Sequence, residues 1–468
     1  MEHEMRLDAL PFAMIASGEK TIELRLWDEK RRRIAVGDTL RFTRTDRPEQ
    51  TLRAVVRELC VFPSFDELYR ALPLTECGYT AETAPAASPR DMRAYYSAEE
   101  EARWGVVGIR LEAARARQTT PPDAVQPTDK KEAPAMSGQT LRLTLGELLS
   151  DPRIAKIADQ AIRKWDLSQE EMWHKTLEQL RAEHFGGNLE LGIDRLFAAS
   201  AEEGWHVPLY TEEECAADEN RRGTSLVFFR SQDPEAARRP YILLVPGGGF
   251  VNVWNLTEGW PVAAQFNRLG CHAVILTYQV AAPDRGLERA MGDFARALQL
   301  IRSRGDAWGL RWDRYIPCGF SAGGYLVCLW NVPEKGFAAF DLPKPQAVFP
   351  VYPVTSLKQM ALDEPDGGFE PAEAEALYGC GVEEAMNSPF EIPEHAQDFP
   401  PCALFAAARD ELVNPEHSRR LARALEEHGI PCRLEIGPEG GHGFGDGTGM
   451  CMEGWPARAL QWYESLSR

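Results

Sequence analysis

Ser321 sits at the centre of Gly319-Phe320-Ser321-Ala322-Gly323. Ahead of it the apolar run Tyr315, Ile316, Cys318 and Phe320 predicts a short buried strand, and after it Ala322, Tyr325, Leu326, Cys328 and Leu329 recur at helical spacing. A serine where a strand turns this sharply into a helix is held exposed. The two glycines allow the strained turn, and the amide of Ala322 is free to point at an oxygen developing negative charge. The chemistry such a hydroxyl can do is nucleophilic attack on an acyl carbon, for which it needs a base, and the base an orienting carboxylate. Of nine histidines, His442 in Gly440-Gly441-His442-Gly443-Phe444-Gly445 has the glycine freedom to swing over the turn. His417 and His428 read as solvated residues at the two ends of a helix, and His395 as part of a polar loop. Asp410 follows the apolar run Ala403 to Ala408; a turn or helix-capping aspartate is its competing reading, and Glu411 is the reserve candidate. Pro246-Gly247-Gly248-Gly249-Phe250 follows another apolar run, Tyr241 to Val245. It is either an ordinary turn or a loop whose amides approach a ligand without Cβ interference.

These residues need elements to hold them together. From Ser225 onward short β-rich runs alternate with amphipathic stretches: Ser225 to Arg230, Tyr241 to Val245, Ala273 to Tyr278, Tyr315 to Phe320, Ala347 to Tyr352, Ala403 to Ala408 and Cys432 to Ile436. The helices between them include Trp260 to Leu269, Leu287 to Arg304 and Ser418 to His428. Continuous apolar strands separated by helices predict an α/β fold, a mostly parallel sheet covered on both faces. Ahead of it, residues 141 to about 205 predict helices at Leu145 to Leu149, Ile154 to Trp165, Glu170 to His184 and Leu189 to Ala199, a lid or a buttress.

Residues 225 to 468 resemble the α/β-hydrolase superfamily, in its esterase/lipase branch of acetylesterase-like and acetyl-xylan-esterase-like enzymes. The matching passages are PGGGF with the following EGWPVA, GFSAGG, Asn387-Ser388-Pro389, ARDELVNPEHS and GGHGFG. The resemblance implies a Ser321, Asp410, His442 triad in the chain order of that superfamily, with an oxyanion hole formed by the amides of Gly248 or Gly249 and of Ala322. One departure is that Pro246 stands where the HGGG-type loop has His. Trp254, Asn255 and Glu258 are candidates to line the pocket, although Thr257-Glu258 also reads as a helix cap. Residues 355 to 400, acidic and rich in Pro and Gly, are expected to form part of the acyl or alcohol pocket.

Residues 1 to 114 predict a separate small β-barrel of short strands around one or two helices, among them Thr39 to Thr43, Leu52 to Val56, a helix from Ser64 to Leu72 and a closing strand Gly105 to Leu111. Ser17-Gly18-Glu19-Lys20-Thr21-Ile22-Glu23-Leu24-Arg25 resembles the G-x-K-x-x-E-x-R hallmark of ASCH domains, which share the PUA-like barrel of RNA-modification proteins. Val36-Gly37-Asp38 and the passage from Tyr95 to Ile109 support it. Strand alternation puts Lys20, Ile22 and Leu24 on one face and Thr21, Glu23 and Arg25 on the other. Lys20, Glu23 and Arg25 are therefore either a ligand site for RNA or a modified nucleoside, or, for Glu23 with Arg25, a buried ion pair. Some single-domain relatives hydrolyse N4-acetylcytidine with a Lys and a Thr of this motif; here Glu23 replaces that Thr, which removes the hydroxyl such chemistry needs. The run Lys30-Arg31-Arg32-Arg33 is a solvated loop or a phosphate contact.

Residues 115 to 140, with Pro121, Pro122, Pro127 and Pro134, read as an extended linker. The expected organisation is thus an ASCH/PUA-like domain (1–114), the linker (115–140), a helical extension (141–210) and an α/β-hydrolase domain (211–468). The 468 residues, 44% hydrophobic and 26% charged, suffice for well-filled cores and exclude bulk disorder. Residues 1–115 hold 18 Lys+Arg against 20 Asp+Glu, which leaves −17 of the net −19 to the remainder. Any polyanion contact therefore belongs to the N-terminal part. The acidic N-terminus and the lack of a long apolar run predict a cytoplasmic protein without membrane contact. Ten cysteines without paired spacing fit reduced thiols rather than disulfides or zinc, and no cofactor is implied. The expected function is hydrolysis of small acyl esters, acetyl esters above all, by a serine carboxylesterase. The alternatives are an RNA- or nucleoside-binding protein whose hydrolase deacylates what it binds, and a serine peptidase of the same superfamily.

Overall fold

The computed structural model describes the chain apart from residues 1, 8–10, 13, 16–19, 46–50, 80–86, 90–91, 93–95, 114–139, 165–169, 184–186, 364–370, 388 and 467–468. The expected linker up to residue 139, Ser17-Gly18-Glu19 of the N-terminal motif, Tyr95 and Ser388 thus lie outside the described residues, while Thr140 already belongs to a helical turn, Thr140–Arg142. The chain divides into two compact units, Met1–Lys131 and Glu132–Arg468.

In the first unit β1 (Glu2–Leu7), β2 (Ile22–Leu26), β3 (Thr39–Arg44), β4 (Thr51–Phe62) and β5 (Val106–Ala113) form one sheet in the order β1-β3-β4-β5-β2. Only the β1–β3 pair is parallel. Leu40, Phe42, Val56 and Ile109 fill a core on one side, and Ile22, Leu24 and Leu68 a second one with the helix Phe65–Ala71. Ser64 caps that helix by accepting the Glu67 amide.

The second unit carries eight strands: β6 (His206–Pro208), β7 (Ser225–Phe229), β8 (Tyr241–Val245), β9 (Ala273–Thr277), β10 (Tyr315–Phe320), β11 (Phe349–Val351), β12 (Cys402–Ala407) and β13 (Cys432–Gly437). They are ordered β13-β12-β11-β10-β8-β9-β7-β6. From β9 to β13 every neighbouring pair is parallel, while β6 and β7 pair antiparallel at the edge. β8 shows why the sequence reads apolar without alternation. Ile242 and Leu244 enter one core with the helices Leu189–Ser200, Trp260–Arg268 and Trp455–Ser465. Tyr241, Leu243 and Val245 enter the opposite core with Gly286–Trp308, Ser321–Leu329 and Glu416–Glu427. Each fully buried aliphatic side chain is worth about 1.5–3 kcal/mol, so a strand apolar on both faces is fixed in the middle of three layers.

The segment 141–210 belongs to this unit; up to Trp205 it packs on the first of those cores, and Val207 and Leu209 enter the second. Leu145–Leu149 and Leu189–Ser200 are helices as expected, the first closed by a capping box between Thr144 and Glu147. Where a helix is expected from Ile154 to Trp165, the described residues 154–164 form instead a series of turns with one short 3-10 turn at Ala158–Gln160. Ile154, Ile157, Ala161 and Ile162 are buried, which explains the helical periodicity. The backbone there is engaged from outside: Leu256 N–H donates to Ala161 O, the Asn255 side chain to Gln160 O, and Arg163 N–H to Val253 O. Long-range partners for these carbonyls and amides displace the local ladder.

Candidate active site

The site is assembled at the carboxyl ends of β8, β10, β12 and β13. β10 ends at Phe320 and a helix begins at Ser321, whose φ of 51° lies in the left-handed region. Such a conformation costs on the order of 1–3 kcal/mol for a non-glycine residue and persists only when its surroundings impose it. Here they do, because a Cβ on Gly323 would run into the carbonyl of Val245 and one on Gly319 into the backbone of Gly323.

Ser321 Oγ lies 2.9 Å from His442 Nε2, and His442 Nδ1 lies 2.8 Å from Asp410 Oδ2. The Asp410 side chain is 1% exposed and its Oδ1 accepts the amides of Leu412 (3.0 Å) and Val413 (2.8 Å). A carboxylate held this way acts only as an acceptor, so the imidazole proton sits on Nδ1 and the Nε2 lone pair faces the Ser321 hydroxyl. Glu411 is exposed. The reading of His417 is corrected: it is buried on the inner face of Glu416–Glu427, where its Nδ1 accepts the Thr355 amide at 3.1 Å. Burial pushes its pKa down to about 4. His395 is buried too, in the short helical turn Ile392–Asp398, whereas His428 is exposed as expected.

The glycine loop begins where β8 ends. Tyr278 O–H donates to Pro246 O at 2.8 Å, and the Gly248 carbonyl accepts the amides of Val251 and Asn252. Gly248 has φ 132°, and its missing Cβ leaves room for the Asn252 backbone. Among the described residues the amides of Gly248, Gly249 and Ala322 have no hydrogen-bond partner, and all three residues line the cleft with Ser321 and His442. The cleft encloses about 560 Å³ and is mainly apolar, lined by Phe250, Trp254, Tyr325, Met360 and Leu377 among others. Met360 and Leu377 come from the 355–400 region. At the mouth stand Val251 and Leu412, 58% and 74% exposed. No Lys or Arg lines it among the described residues.

One residue here, Tyr352, escaped the sequence reading; Glu258 lines the cleft as expected, but not in the capping role also read for it. Glu258 is buried in the π-turn Asn255–Gly259 with Oε2 accepting Gly247 N–H (2.6 Å) and Oε1 accepting Tyr352 O–H (2.8 Å). Burial raises its pKa, against the opposing pull of the Gly247 and Tyr352 hydrogen bonds and of His442. The Tyr352 hydroxyl also accepts Gly445 N–H at 3.4 Å, and its ring centroid stands 4.7 Å from that of His442. Trp254 lines the cleft as expected, but Asn255 turns away to Gln160 O and Thr277 Oγ1.

In the first unit Lys20 Nζ lies 3.1 Å and Arg25 Nε 2.8 Å from Glu23. The expected alternation fails because β2 starts only at Ile22, so Lys20 reaches the same carboxylate as Arg25. These three residues border a cavity of about 400 Å³ with Tyr69, Tyr79 and Tyr96. In the basic run, Arg31 pairs with Asp28, and Arg32 Nε donates to Trp27 O at 2.8 Å. Among the described residues no group of three His, Cys, Asp or Glu is arranged to hold a metal ion, and no helix is long and apolar enough to cross a membrane.

Comparison with known proteins covers both units. The ASCH domain model matches residues 5–115, and the model of the alpha/beta hydrolase fold matches residues 242–446. Endo-1,4-beta-xylanase B of Butyrivibrio fibrisolvens is 25% identical over 230 residues, 47% of this chain and 34% of that protein. Acetylxylan esterase of Xylanibacter ruminicola is 25% identical over 223 residues, 46% of this chain and 43% of that protein. The chain thus spans less than half the length of these curated relatives. Among solved structures, an acetyl ester-xyloside bifunctional hydrolase from Caldicellulosiruptor lactoaceticus superposes with a TM-score of 0.47 at 25% identity, covering 56% of this chain and 97% of the other. A carboxylesterase from Lactobacillus plantarum gives 0.44 at 20%, covering 52% and 93%. The chain therefore joins an ASCH domain, residues 5–115, to a domain of the α/β-hydrolase fold, residues 242–446.

Proposed function

We propose that the second unit is a serine carboxylesterase acting on short acyl esters of uncharged alcohols. The observation that carries this reading is the continuous run Ser321 Oγ, His442 Nε2, His442 Nδ1, Asp410 Oδ2 beside three unengaged amides. His442 takes the hydroxyl proton as Ser321 attacks the carbonyl, and Asp410 holds the imidazole in the required tautomer and balances the imidazolium. The amides of Ala322 and of Gly248 or Gly249 receive the oxyanion; removing one such donor typically costs about 3 kcal/mol of barrier lowering. His442 then protonates the leaving alcohol, and water repeats the sequence on the acyl-enzyme.

The relative named for acetylxylan supports an acetyl group. The lining argues for an apolar alcohol rather than a sugar: hydroxyls pressed against Phe250, Trp254 and Met360 would lose their hydrogen bonds, and a substrate anion would find no cation. A panel of p-nitrophenyl acetate, butyrate and octanoate alongside acetylated xylose tests this. Hydrolysis of the aryl acetate, abolished in Ser321→Ala, is expected; faster cleavage of the acetylated sugar would overturn the alcohol assignment.

A second reading concerns the first unit, where the cavity bordered by Lys20, Glu23, Arg25 and three tyrosines favours binding of a nucleoside or single-stranded RNA. Titration of the whole protein with single-stranded RNA at low and high salt tests it, with Lys20→Ala and Arg25→Ala expected to weaken binding. No binding at low salt would remove it.

A further inference from the structure

We propose that Glu258 is a positioning residue of the ester-hydrolysing site, its carboxylate clamping the oxyanion loop to the loop of the base and placing a second negative charge near the His442 imidazole. This inference rests on the esterase reading above and asks what the buried acid beneath that site does.

The geometry gives Glu258 one hydrogen bond on each side of the cleft. Oε2 takes the amide of Gly247, the residue before Gly248, so the glycine loop is pinned one residue ahead of its free amides. Oε1 takes the hydroxyl of Tyr352, which in turn accepts Gly445 N–H, three residues after His442. Tyr352 itself stands at φ 37°, a left-handed conformation imposed on a bulky residue, with its ring against His442 and Phe444. One carboxyl group thus joins two loops that leave different strands and whose relative placement sets the distance from base to oxyanion.

Hydrogen-bond accounting favours the ionised form. With Glu258 a carboxylate, the Tyr352 hydroxyl donates to Oε1 and accepts from Gly445, and every proton has an acceptor. Were the acid protonated towards Tyr352, the phenolic proton would need another acceptor, and the described contacts offer none. Yet Glu258 is 6% exposed and pairs with no Lys or Arg among the described residues. A buried carboxylate without a cation is costly unless something compensates. The group near it that can become cationic is His442, which does so when Ser321 is deprotonated. The attraction is therefore larger in the transition state than in the resting enzyme, the condition under which an interaction accelerates the chemical step.

The test uses the full-length protein, p-nitrophenyl acetate, and the variants Glu258→Gln and Tyr352→Phe. Glutamine keeps the shape, one acceptor oxygen and the packing but not the charge. The amide offers one acceptor to the two donors Gly247 N–H and Tyr352 O–H, so a lowered thermal midpoint is expected, and the lost charge is read in kcat, which falls about 10- to 100-fold for Glu258→Gln with KM within about twofold of wild type. Rescue to wild-type kcat by this conservative variant would show a merely structural role and overturn the proposal. Should Glu258→Gln fail to fold, Tyr352→Phe decides: a fall in kcat of about threefold or more supports the clamp, and a wild-type kcat overturns it. A wild type that cleaves no ester, with Ser321 unreactive to a fluorophosphonate, would instead overturn the esterase reading itself and this inference with it.

Discussion

Ser321, His442 and Asp410 lie 121 and 32 positions apart in the chain, yet their side chains meet at hydrogen-bond distance. What secures them is mostly backbone. Two amides hold Asp410 Oδ1, and steric exclusion at Gly319 and Gly323 holds the Ser321 turn. Asp410→Asn tests the electrostatic part. The amide side chain can keep the geometry but favours the wrong imidazole tautomer, so kcat is expected to fall by about 10³–10⁴-fold with KM little changed. Steady-state kinetics on p-nitrophenyl acetate measures it; a fall below tenfold would contradict the role given to Asp410. The residues that stand out as candidates in sequence are those with a local signature: a serine between glycines, a histidine among glycines, an aspartate ending an apolar run. Tyr352 has none, and Glu258 could be placed in the pocket from its position after the glycine loop but not joined to Gly247 or, through Tyr352, to Gly445, bonds that only the fold makes.

Elements were readable in proportion to how locally their bonds are satisfied. The strands β8 and β10 match the predicted limits because burial on both faces leaves a continuous apolar run. The segment 154–164 looked helical because its inward residues recur at three and four, but Val253, Asn255 and Leu256 claim its backbone groups. That segment thereby braces the turn carrying Trp254 and Glu258. The helix Glu416–Glu427 braces another part of the wall through His417, which is fixed to Thr355 and faced by Asp363, Arg420, Asp410 and Glu416. Its folded pKa of about 4 lies below the ordinary value of 6.5, so unfolding takes up a proton between those limits. The stability it contributes is complete above about pH 6.5 and is lost as pH falls towards 4. His417→Gln, which keeps an acceptor for the Thr355 amide, is expected to lose less stability than wild type between pH 7 and pH 5, measured as the shift in urea midpoint. Buried acids such as Asp293, whose raised pKa acts in the opposite sense, are common to both proteins and cancel in the comparison. Equal shifts would contradict a neutral buried His417.

At the scale of the molecule, each unit closes its own cores: Phe42 packs among residues of the first unit alone, and the two sheet faces of the second are filled by residues 141–460. Phe42→Ala is expected to remove about 3–5 kcal/mol from the first unit. Calorimetry should then show one transition lowered while kcat for an aryl acetate stays at the wild-type value; a parallel loss of activity would contradict separate cores. Charge divides the same way, with nearly all of the net −19 lying beyond residue 115, which directs anionic partners to the first unit. The claim on which the rest depends is that Ser321 is an activated nucleophile. It is tested most directly by treating the whole protein with a fluorophosphonate and locating the adduct by peptide mass spectrometry. A single adduct on Ser321, formed at least about 100-fold more slowly in His442→Ala, is the expected result. An adduct elsewhere, or the same rate without His442, would contradict it.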